Sequence, residues 1–404
     1  MANGRPKPAF FLVMFAVVAG LIYYGVSRFG GIGKGGSGTD SSGAISPTDL
    51  ANKGGPEAPD ANSVTTVKEY SYVASAKLPE VKGTSAYTPM ADNTVRMALN
   101  VWAGWAPVIH ANNGFKAGKV WKAPGGKTFK LELVLIDDPI AMRDAYASGK
   151  IHIGWATLDM VPLFVEQLQK DSRTMPRIYQ QVDWSNGGDG IVVREAIKTM
   201  SDLRGKTVSV DAMTTGLAFV TRELIARGGV GESDVNFVRV GGTALRYREL
   251  LAGKQEATLL RTPFELLAES RGYRKLAAAE SLGTYQGSVG LARRSWAREH
   301  EAALVGFLRA YRAATDWLYD PANREIAEAV LVANIRDMTP ALAKRSYDLL
   351  LAPNGGLSRD LAPSAEGIRT VLQLRGKYAT PQKSLTDPMK YVDLAYYNKA
   401  FGKP

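Results

Sequence analysis

The sequence predicts an α/β protein of two lobes, each built on a mostly parallel sheet with flanking helices, with a membrane helix in front of them. Strand-like and helix-like segments alternate from Thr94 onward, which is typical of parallel strands joined by crossover helices. This rhythm is interrupted once, at 183–190, and an uncharged apolar segment precedes it at 9–26. A chain of 404 residues is long enough for two lobes of ordinary size.

The strands and helices are predicted from the hydrophobic period and from the turn residues between segments. Strands are expected at 94–101, 128–136, 151–154, 177–182, 190–194, 207–210, 235–240, 257–260, 275–278 and 288–292. Helices are expected at 140–148, 157–169, 215–227, 245–252, 263–270, 295–319, 324–334, 340–350 and 364–378. The chain is therefore expected to be almost entirely helical after Ser295.

The interruption at 183–190 reads Asp-Trp-Ser-Asn-Gly-Gly-Asp-Gly, and two glycines flanked by Asn and Asp suit neither a helix nor a strand interior. A complete new α/β unit follows it. We expect the chain to leave lobe 1 there and to return at 288–292, so that a hinge crossed twice borders a cleft. The expected divisions are 93–189 for the first part of lobe 1, 190–290 for lobe 2, and 291–404 for the helical second part of lobe 1.

The N-terminal segment is expected to hold the protein in a membrane. Residues 9–26 carry no charge over 18 positions, and at about 1.5 Å per residue such a helix covers most of a bilayer core of about 30 Å. The segment 23–28 offers no small-x-small cleavage site, which favours an uncleaved signal anchor at 1–29 over a cleaved signal peptide. Two basic residues ahead of it predict a cytoplasmic N-terminus and an exported remainder. Residues 30–92, rich in Gly, Ser, Pro, Ala and Asp, are expected to form a flexible tether.

Composition argues against several kinds of chemistry. The chain has no cysteine, which removes disulfides, thiolate metal sites and cysteine nucleophiles, and its three histidines are too scattered for a metal site. The sequence contains no nucleophile elbow and no phosphate loop, so we expect no cofactor and no enzymatic activity. The net charge of +11 suits an anionic ligand, an anionic membrane surface or plain solubility. No basic run with interleaved aromatic residues indicates nucleic acid.

Two of the predicted strands end in the same way, in tryptophan and small residues. The strand at 95–101 is followed by Trp102-Ala103-Gly104-Trp105, and the strand at 151–154 by Trp155-Ala156-Thr157. In a parallel α/β sheet the carboxyl ends of the strands border the crevice where ligands bind. Aromatic planes beside bare backbone there favour a small-molecule pocket, although each tryptophan could equally fill the core. Thr157 could also be the N-cap of the next helix.

A helix start in lobe 2 offers a second kind of candidate site. Thr214 and Thr215 precede the helix at 217–227. Unsatisfied amides and the positive end of the helix dipole suit an anion there, and the two hydroxyls add donors. Ordinary capping explains the same residues without a ligand.

Further candidates lie in the hinge and after the strand at 257–260. Asn186 and Asp189 occupy the hinge, where Asp189 could bind an ammonium group or hold the crossing backbone. Thr262 and Phe264 follow the strand, and Phe264 could stack on a ligand or fill the core. Arg261 is the nearest strand-end cation, which could pair with an acidic ligand group or form an ordinary ion pair.

Several segments, in their order and spacing, resemble the type II periplasmic substrate-binding proteins of the nitrate, sulfonate and taurine group of ABC importers. They are VRMALNVWAGWAPVI, AMRDAYASGKIHIGWATLDMVP, SDLRGKTVSVDAMTTGLAFVTRELI, VGGTALRYRELLAGKQEATLLRTPFELLAESRGYRKL and SVGLARRSWAREHEAALVGFLRAYRAATDWL, within 93–381. The resemblance implies the two-lobed fold and places the Trp102 turn, the loop at 155–157, the Thr214–Thr215 loop and the segment after Arg261 around the ligand. The expected membrane helix departs from that family's cleavable signal, and the absence of cysteine argues against the enzymes that share the fold.

The resemblance and the residues together give a leading hypothesis and two alternatives. The leading hypothesis is an extracytoplasmic receptor for a small organic anion, sulfonate- or carboxylate-like, that closes its lobes on the ligand and delivers it to an ABC permease in the inner membrane. The ligand could instead be a quaternary ammonium in a cage of Trp102, Trp105, Trp155 and Trp184, balanced by Asp189. Alternatively, the chain is a membrane-tethered sensor or envelope scaffold that is not coupled to transport. All three hypotheses place the folded domain in the periplasm or outside the cell, anchored in the inner membrane.

Overall fold

The computed structural model describes residues 90–402, apart from 159, 169–173, 175, 185–187, 212–215, 284–286, 354–355, 379–383 and 386. Of the two compact units in the chain, Gly43–Pro404 contains all of these residues and Met1–Ser42 contains none. The expected signal anchor at 1–29 and nearly all of the tether therefore lie outside the described residues. Among the helices that are described, none is both long and apolar enough to cross a membrane.

Thirteen strands are described, and they form two main sheets and one small ladder. They are β1 (Thr94–Leu99), β2 (Val120–Lys122), β3 (Thr128–Leu135), β4 (Ile153–Thr157), β5 (Pro176–Gln181), β6 (Asp183–Trp184), β7 (Asp189–Val193), β8 (Thr207–Val210), β9 (Asn236–Arg239), β10 (Ala257–Arg261), β11 (Arg274–Ala278), β12 (Ser288–Arg293) and β13 (Gly356–Leu357). The six-stranded sheet has the order β2-β3-β1-β4-β12-β5, and the five-stranded sheet has the order β11-β7-β10-β8-β9. We call the first sheet with its helices lobe 1 and the second sheet with its helices lobe 2.

Twelve α-helices are described. They are α1 (Ala106–Ala111), α2 (Pro139–Ala147), α3 (Met160–Leu168), α4 (Gly216–Arg227), α5 (Thr243–Leu251), α6 (Phe264–Glu269), α7 (Arg294–Glu299), α8 (Glu301–Tyr319), α9 (Arg324–Asn334), α10 (Pro340–Leu350), α11 (Ala365–Tyr378) and α12 (Ala395–Phe401). Helices α4, α5 and α6 pack on the lobe 2 sheet, and α11 packs against α4. The helix expected at 295–319 is two helices, α7 and α8, because His300 leaves the helical conformation (φ −119°, ψ 35°).

Both sheets are mixed, which corrects the prediction of mostly parallel sheets. In lobe 1, β1 pairs in parallel with β3 and β4, but β12 runs antiparallel to β4 and β5. In lobe 2, β8 pairs in parallel with β9 and β10, but β7 runs antiparallel to β10 and β11. The antiparallel strands β7 and β12 are the first strands of the main sheets after the chain crosses from one sheet to the other. Each begins beside the carboxyl ends of its neighbours and therefore runs in the opposite direction.

Local sequence explains most element boundaries. In β3, Phe129, Leu131 and Leu133 are buried while the residues between them are not, which is the expected period of two. Helix α2 starts at Pro139 because the Asp138 carboxylate accepts the amide protons of Ile140 and Ala141. The short strands β2, β6 and β13 and the helices α1 and α12 were not predicted.

Strand β4 extends further than predicted. The register with β12 runs from Ile153 opposite Ala292 to Thr157 opposite Ser288. This pairing carries the strand through Trp155 and Thr157, which were expected in a loop. Thr157 is therefore a strand residue, and its predicted role as a helix N-cap is wrong.

Candidate functional site

The carboxyl edges of the two sheets meet directly. The backbone N–H of Ala103, after β1, donates to the carbonyl oxygen of Thr262, after β10, at 3.2 Å. The N–H of Thr262 in turn donates to the carbonyl oxygen of Gly188 in the hinge at 3.0 Å. We call this meeting place, with the side chains from 102–105, β4, β7, α5 and β10 that border it, the interlobe junction. Lobes 1 and 2 are in direct contact there.

The turn after β1 presents two tryptophans to the junction. The rings of Trp102 and Trp105 meet edge to face with their centroids 5.3 Å apart. The Trp105 indole N–H donates to Asn100 Oδ1 at 2.6 Å, so its hydrogen bond is satisfied within lobe 1. The Trp102 ring lies directly over Gly104, where an added Cβ would be 2.1 Å from a ring carbon. Gly104 therefore leaves the room that the Trp102 ring occupies.

Strand β4 contributes Trp155 and Thr157 at its carboxyl end. The Trp155 indole N–H donates to the carbonyl oxygen of Ile136, just after β3, at 3.0 Å. The ring therefore reaches across the carboxyl end of β1, which lies between β3 and β4. The Thr157 hydroxyl is buried and has no hydrogen-bond partner among the residues that the structure describes. A buried, unpartnered hydroxyl at a strand end is a feature of a polar binding position.

Lobe 2 contributes a buried ion pair. Arg261, the last residue of β10, lies opposite Asp189, the first residue of β7. Its Nη2 is 3.3 Å from Asp189 Oδ2, and both side chains are buried. Burial lowers the pKa of the Arg261 guanidinium, but the charges of Asp189 and Asp183 outweigh burial and raise it overall. The guanidinium carbon is also 5.9 Å from the Trp102 ring centroid, within the range of a cation–π contact between the lobes.

A second buried guanidinium, that of Arg246 on α5, lies beside the first. Its Nη2 donates to the carbonyl oxygen of Leu259 at 3.1 Å. Burial lowers the pKa of Arg246, and the charges of Asp211 and Asp137 oppose that shift. Arg246 therefore belongs to the same group of charges as Arg261, which influences its pKa as well.

Asp137 connects the lobes at the start of α5. One carboxylate oxygen accepts the N–H of Val101 in lobe 1 at 2.9 Å, and the other accepts the N–H of Ala244 in lobe 2 at 3.2 Å. Gly242 makes room for it, because a Cβ there would be 2.2 Å from Asp137 Oδ2. The helix start of α5 is thus occupied by the protein's own carboxylate.

The residues after β10 take different positions. The Thr262 hydroxyl donates to Glu265 Oε1 at 2.7 Å. Burial raises the pKa of Glu265 to about 8, so the carboxyl is mostly protonated at neutral pH. Phe264 packs against Tyr247 with a centroid distance of 5.2 Å, inside lobe 2.

The structure brings together most of the predicted site residues that it describes. Trp102, Gly104, Trp105 and Thr262 meet at the Ala103–Thr262 contact, and Asp189 joins them through Arg261. Asn186, Thr214 and Thr215 lie outside the described residues. Around the described junction and elsewhere in the described part of 90–402, no group of three or more His, Asp or Glu side chains could hold a metal ion.

Sequence reasoning missed four ionisable residues of the junction, namely Asp137, Asp211, Arg246 and Glu265. Asp137 directly precedes Asp138, the N-cap residue of α2, and was not among the predicted site residues. Asp211 directly follows β8, so its position at a carboxyl strand end was a usable signal. Arg246 and Glu265 lie inside helical segments and gave no such signal.

Comparison with protein families confirms the predicted resemblance. The model of the NMT1/THI5-like family matches residues 129–324. The matched residues include both predicted hinge crossings. No curated protein sequence matches the chain significantly.

Several solved structures share the fold of this chain. One is a ligand-binding component of an ABC-type import system from Staphylococcus aureus, solved with zinc bound (13% identity, TM-score 0.61, 76% of this chain and 99% of that one). Another is the alkanesulfonate-binding protein SsuA from Xanthomonas axonopodis pv. citri, bound to MOPS (18%, 0.58, 75% and 98%). A third is the periplasmic nitrate-binding protein NrtA from Synechocystis PCC 6803 (14%, 0.58, 76% and 88%). At these identities the likeness establishes the fold of the chain, an α/β periplasmic-binding-protein fold.

Proposed function

We propose that the protein is an extracytoplasmic solute-binding receptor that captures a small organic anion, sulfonate- or carboxylate-like, between its lobes. Closure of the lobes on the ligand presents the complex to an ABC permease, and no bond in the ligand is made or broken. The observation that carries this proposal is the contact of Trp102 with Arg261, which joins an aromatic surface of lobe 1 to a guanidinium of lobe 2. An amphipathic ligand can contact both surfaces at once.

The anionic head group is assigned to lobe 2 and to the end of β4. Thr214 and Thr215, ahead of α4, would supply amide and hydroxyl donors, and the unpartnered Thr157 hydroxyl would supply another from lobe 1. The apolar body would lie on Trp102 and Trp155. The net charge of +11 assists capture of an anion. Solved proteins of this fold include an alkanesulfonate-binding and a nitrate-binding member.

The proposed arrangement in the cell follows from the N-terminal sequence. Residues 9–26 anchor the chain in the inner membrane, and 30–92 tether the lobes on the far side of it. The lobes divide as 93–189 with 291–404, and 190–290. The reach of a flexible tether of this length keeps the receptor close to a permease in the same membrane.

A second ligand class, a quaternary ammonium, is favoured by the charges at the junction. Among the described residues, the carboxylates of Asp137, Asp183, Asp189 and Asp211 act on the two guanidiniums of Arg246 and Arg261. Buried charge of one sign requires compensation, and a cationic head group would supply it. The tryptophans would then form part of a cation–π cage.

A third function, a sensor or envelope scaffold without transport, is favoured by the direct contact between the lobes. The backbone hydrogen bond from Ala103 to Thr262 and the Asp137 bridge hold the lobes together through the protein's own groups. A scaffold needs no ligand to adopt this arrangement.

Thermal unfolding of the full chain with a panel of alkanesulfonates, aromatic carboxylates and quaternary amines tests the proposal. A ligand at about 100 times its dissociation constant adds about 2.7 kcal/mol of stability, which raises the midpoint by about 2–4 °C in a domain of this size. We expect a shift with anions that is lost in Thr157→Val and Trp155→Ala. Trp121→Ala, on the distant strand β2, is the matched control and should keep it. A shift with amines alone would favour the quaternary-ammonium receptor. No shift with any compound would favour the sensor or envelope scaffold.

A further inference from the structure

Lobe 1 contains a cavity beside the interlobe junction, and the two share Trp102, Ala103 and Trp105. Its volume is about 80 Å³, and every residue that lines it belongs to lobe 1. The floor is the turn of Trp102 and Trp105, and the far wall is the end of α9, with Val330 and Ile335. Leu135 lies at its rim and is 57% exposed, which is unusual for a leucine at the end of a central strand. The cavity is partly open to solvent beside this residue.

The chemistry of the wall is apolar. Asn100 and Asn334 are the two lining residues with amide side chains, and both already form hydrogen bonds within the protein. Asn100 Oδ1 accepts the Trp105 indole N–H at 2.6 Å, and Asn334 Nδ2 donates to the Val330 carbonyl oxygen at 2.8 Å. A water molecule needs about two to four polar partners to be held in a cavity. These walls offer water few partners, so an apolar guest is favoured there.

The volume limits the size of the guest. An apolar cavity of about 150 Å³ is known to bind benzene or xenon. About half that volume suits an aliphatic group of about three to five carbon atoms. The open rim at Leu135 leaves room for a polar end group in solvent. The Trp102 ring lies over Gly104 and lines the floor of the cavity.

We propose that lobe 1 carries a binding site of its own for a small apolar molecule or a short aliphatic chain, on the side of Trp102 and Trp105 that faces α9. No residue of lobe 2 lines this site, so its lining is complete within lobe 1. A guest there contacts Trp102, which also contacts Arg261 of lobe 2.

The test uses linear alcohols from ethanol to octanol as probes on the full chain in lipid nanodiscs. The readout is the indole ¹⁵N–¹H signals, assigned by single Trp→Phe substitutions. We expect the signals of Trp102 and Trp105 to shift saturably, while those of Trp121 and Trp317 stay in place. Each added methylene should tighten binding about fourfold, and the gain should end at about four or five carbons, where the cavity is full.

Variants on the α9 wall give the matched comparison. Val330→Phe fills the cavity from this wall and should abolish the saturable shift. Val332→Phe, on the same helix but 38% exposed and outside the cavity, should leave it unchanged. If Val330→Phe displaces the reference signals of Trp121 and Trp317, Ile335→Phe serves as the second blocking variant. Three results would overturn the proposal: no saturable shift, an affinity that rises steadily through octanol, or a shift that survives both blocking variants.

Discussion

The two edges that meet at the interlobe junction are built from different chemistry. Lobe 1 presents aromatic rings whose polar atoms are already engaged, since the indole N–H groups of Trp105 and Trp155 donate to groups of lobe 1 itself. Lobe 2 presents ionic side chains, with Arg261 and Asp189 buried as a pair. A ligand that satisfies both edges has an apolar body and a charged head. The two edges together therefore restrict the chemistry of a ligand more than either edge does alone.

The largest effect on this contrast is expected when the guanidinium of Arg261 in lobe 2 is replaced by an uncharged side chain. Arg261→Met keeps much of the length of the side chain but leaves Asp189 buried without its partner, and we expect a loss of about 3–5 kcal/mol in the free energy of unfolding. Urea denaturation at pH 7 measures it. Arg239→Met is the control, because the ion pair of Arg239 with Asp138 is substantially exposed and separated by 3.7 Å. A loss of under about 1 kcal/mol for Arg261→Met would contradict the buried-pair account.

A pH profile tests the second ionisable group of lobe 2. The pKa of Glu265 is raised to about 8, whereas an unfolded glutamate has a pKa of about 4.3. Between these values the folded state keeps a proton that the unfolded state loses, so the stability from Glu265 is complete below about pH 4 and declines as pH rises to about 8. Relative to Glu265→Gln, the wild type should lose at most about 1.4 kcal/mol per pH unit in that window.

The measurement is the difference in unfolding free energy between the wild type and Glu265→Gln at pH 5, 6, 7 and 8. The amide of the variant cannot ionise, and it retains an acceptor for the Thr262 hydroxyl, so the comparison isolates the proton. A difference that does not change with pH would show that Glu265 is ionised throughout.

In lobe 1, the largest loss of stability is expected from Gly104→Ala, which adds one methyl group. Gly104→Ala places a Cβ 2.1–2.4 Å from three carbons of the Trp102 ring, which has to move. Overpacking of this kind costs about 1–3 kcal/mol, and the displaced ring should lose its contact with Arg261. Gly118→Ala is the matched control, because nothing lies within 4 Å of its added Cβ. Thermal unfolding and the indole signal of Trp102 report the two consequences.

The smallest loss of stability is expected for the hydrogen bonds between α4 and α11, outside the interlobe junction. Glu223 of α4 accepts hydrogen bonds from Lys377 and Tyr378 of α11, at 2.7 and 2.8 Å. Burial raises the pKa of Glu223, but these hydrogen bonds outweigh it and lower the pKa to about 2. Lys377→Met should cost under about 1 kcal/mol, since the ammonium is more than half exposed.

The stability that Glu223 contributes changes with pH in the opposite direction to the contribution of Glu265. The stabilisation from a lowered carboxyl pKa is complete above about pH 4.5 and is lost as pH falls towards about 2. The cost of Lys377→Met should therefore shrink in acid and in high salt. Denaturation at pH 7 and pH 3, each at low and high salt, checks both trends. A cost that grows in acid would contradict the assignment.

The same contrast explains how much could be predicted from the sequence. The aromatic edge was visible because Trp102 and Trp155 directly follow the strands predicted at 95–101 and 151–154. The ionisable edge was largely hidden, because Arg246 and Glu265 come from helices, and only tertiary packing brings Arg246 near Arg261 and Glu265 near Asp189. The mixed sheets were missed for a related reason. Alternating strands and helices indicate parallel pairing locally, whereas the direction of β7 and β12 depends on where the chain crosses the hinge.

The central claim is that lobe 1 binds an apolar body and the junction selects an anionic head group. Isothermal titration of the full chain carrying Val330→Phe, which fills the lobe 1 cavity, with hexane-1-sulfonate and with hexyltrimethylammonium tests it most directly, because the two probes share a tail and differ in the sign of the charge. We predict that the sulfonate binds, that Trp155→Ala abolishes the binding, and that the ammonium does not bind. Binding of the ammonium alone would contradict the claim of an anion receptor, and binding of neither would contradict the receptor function as a whole.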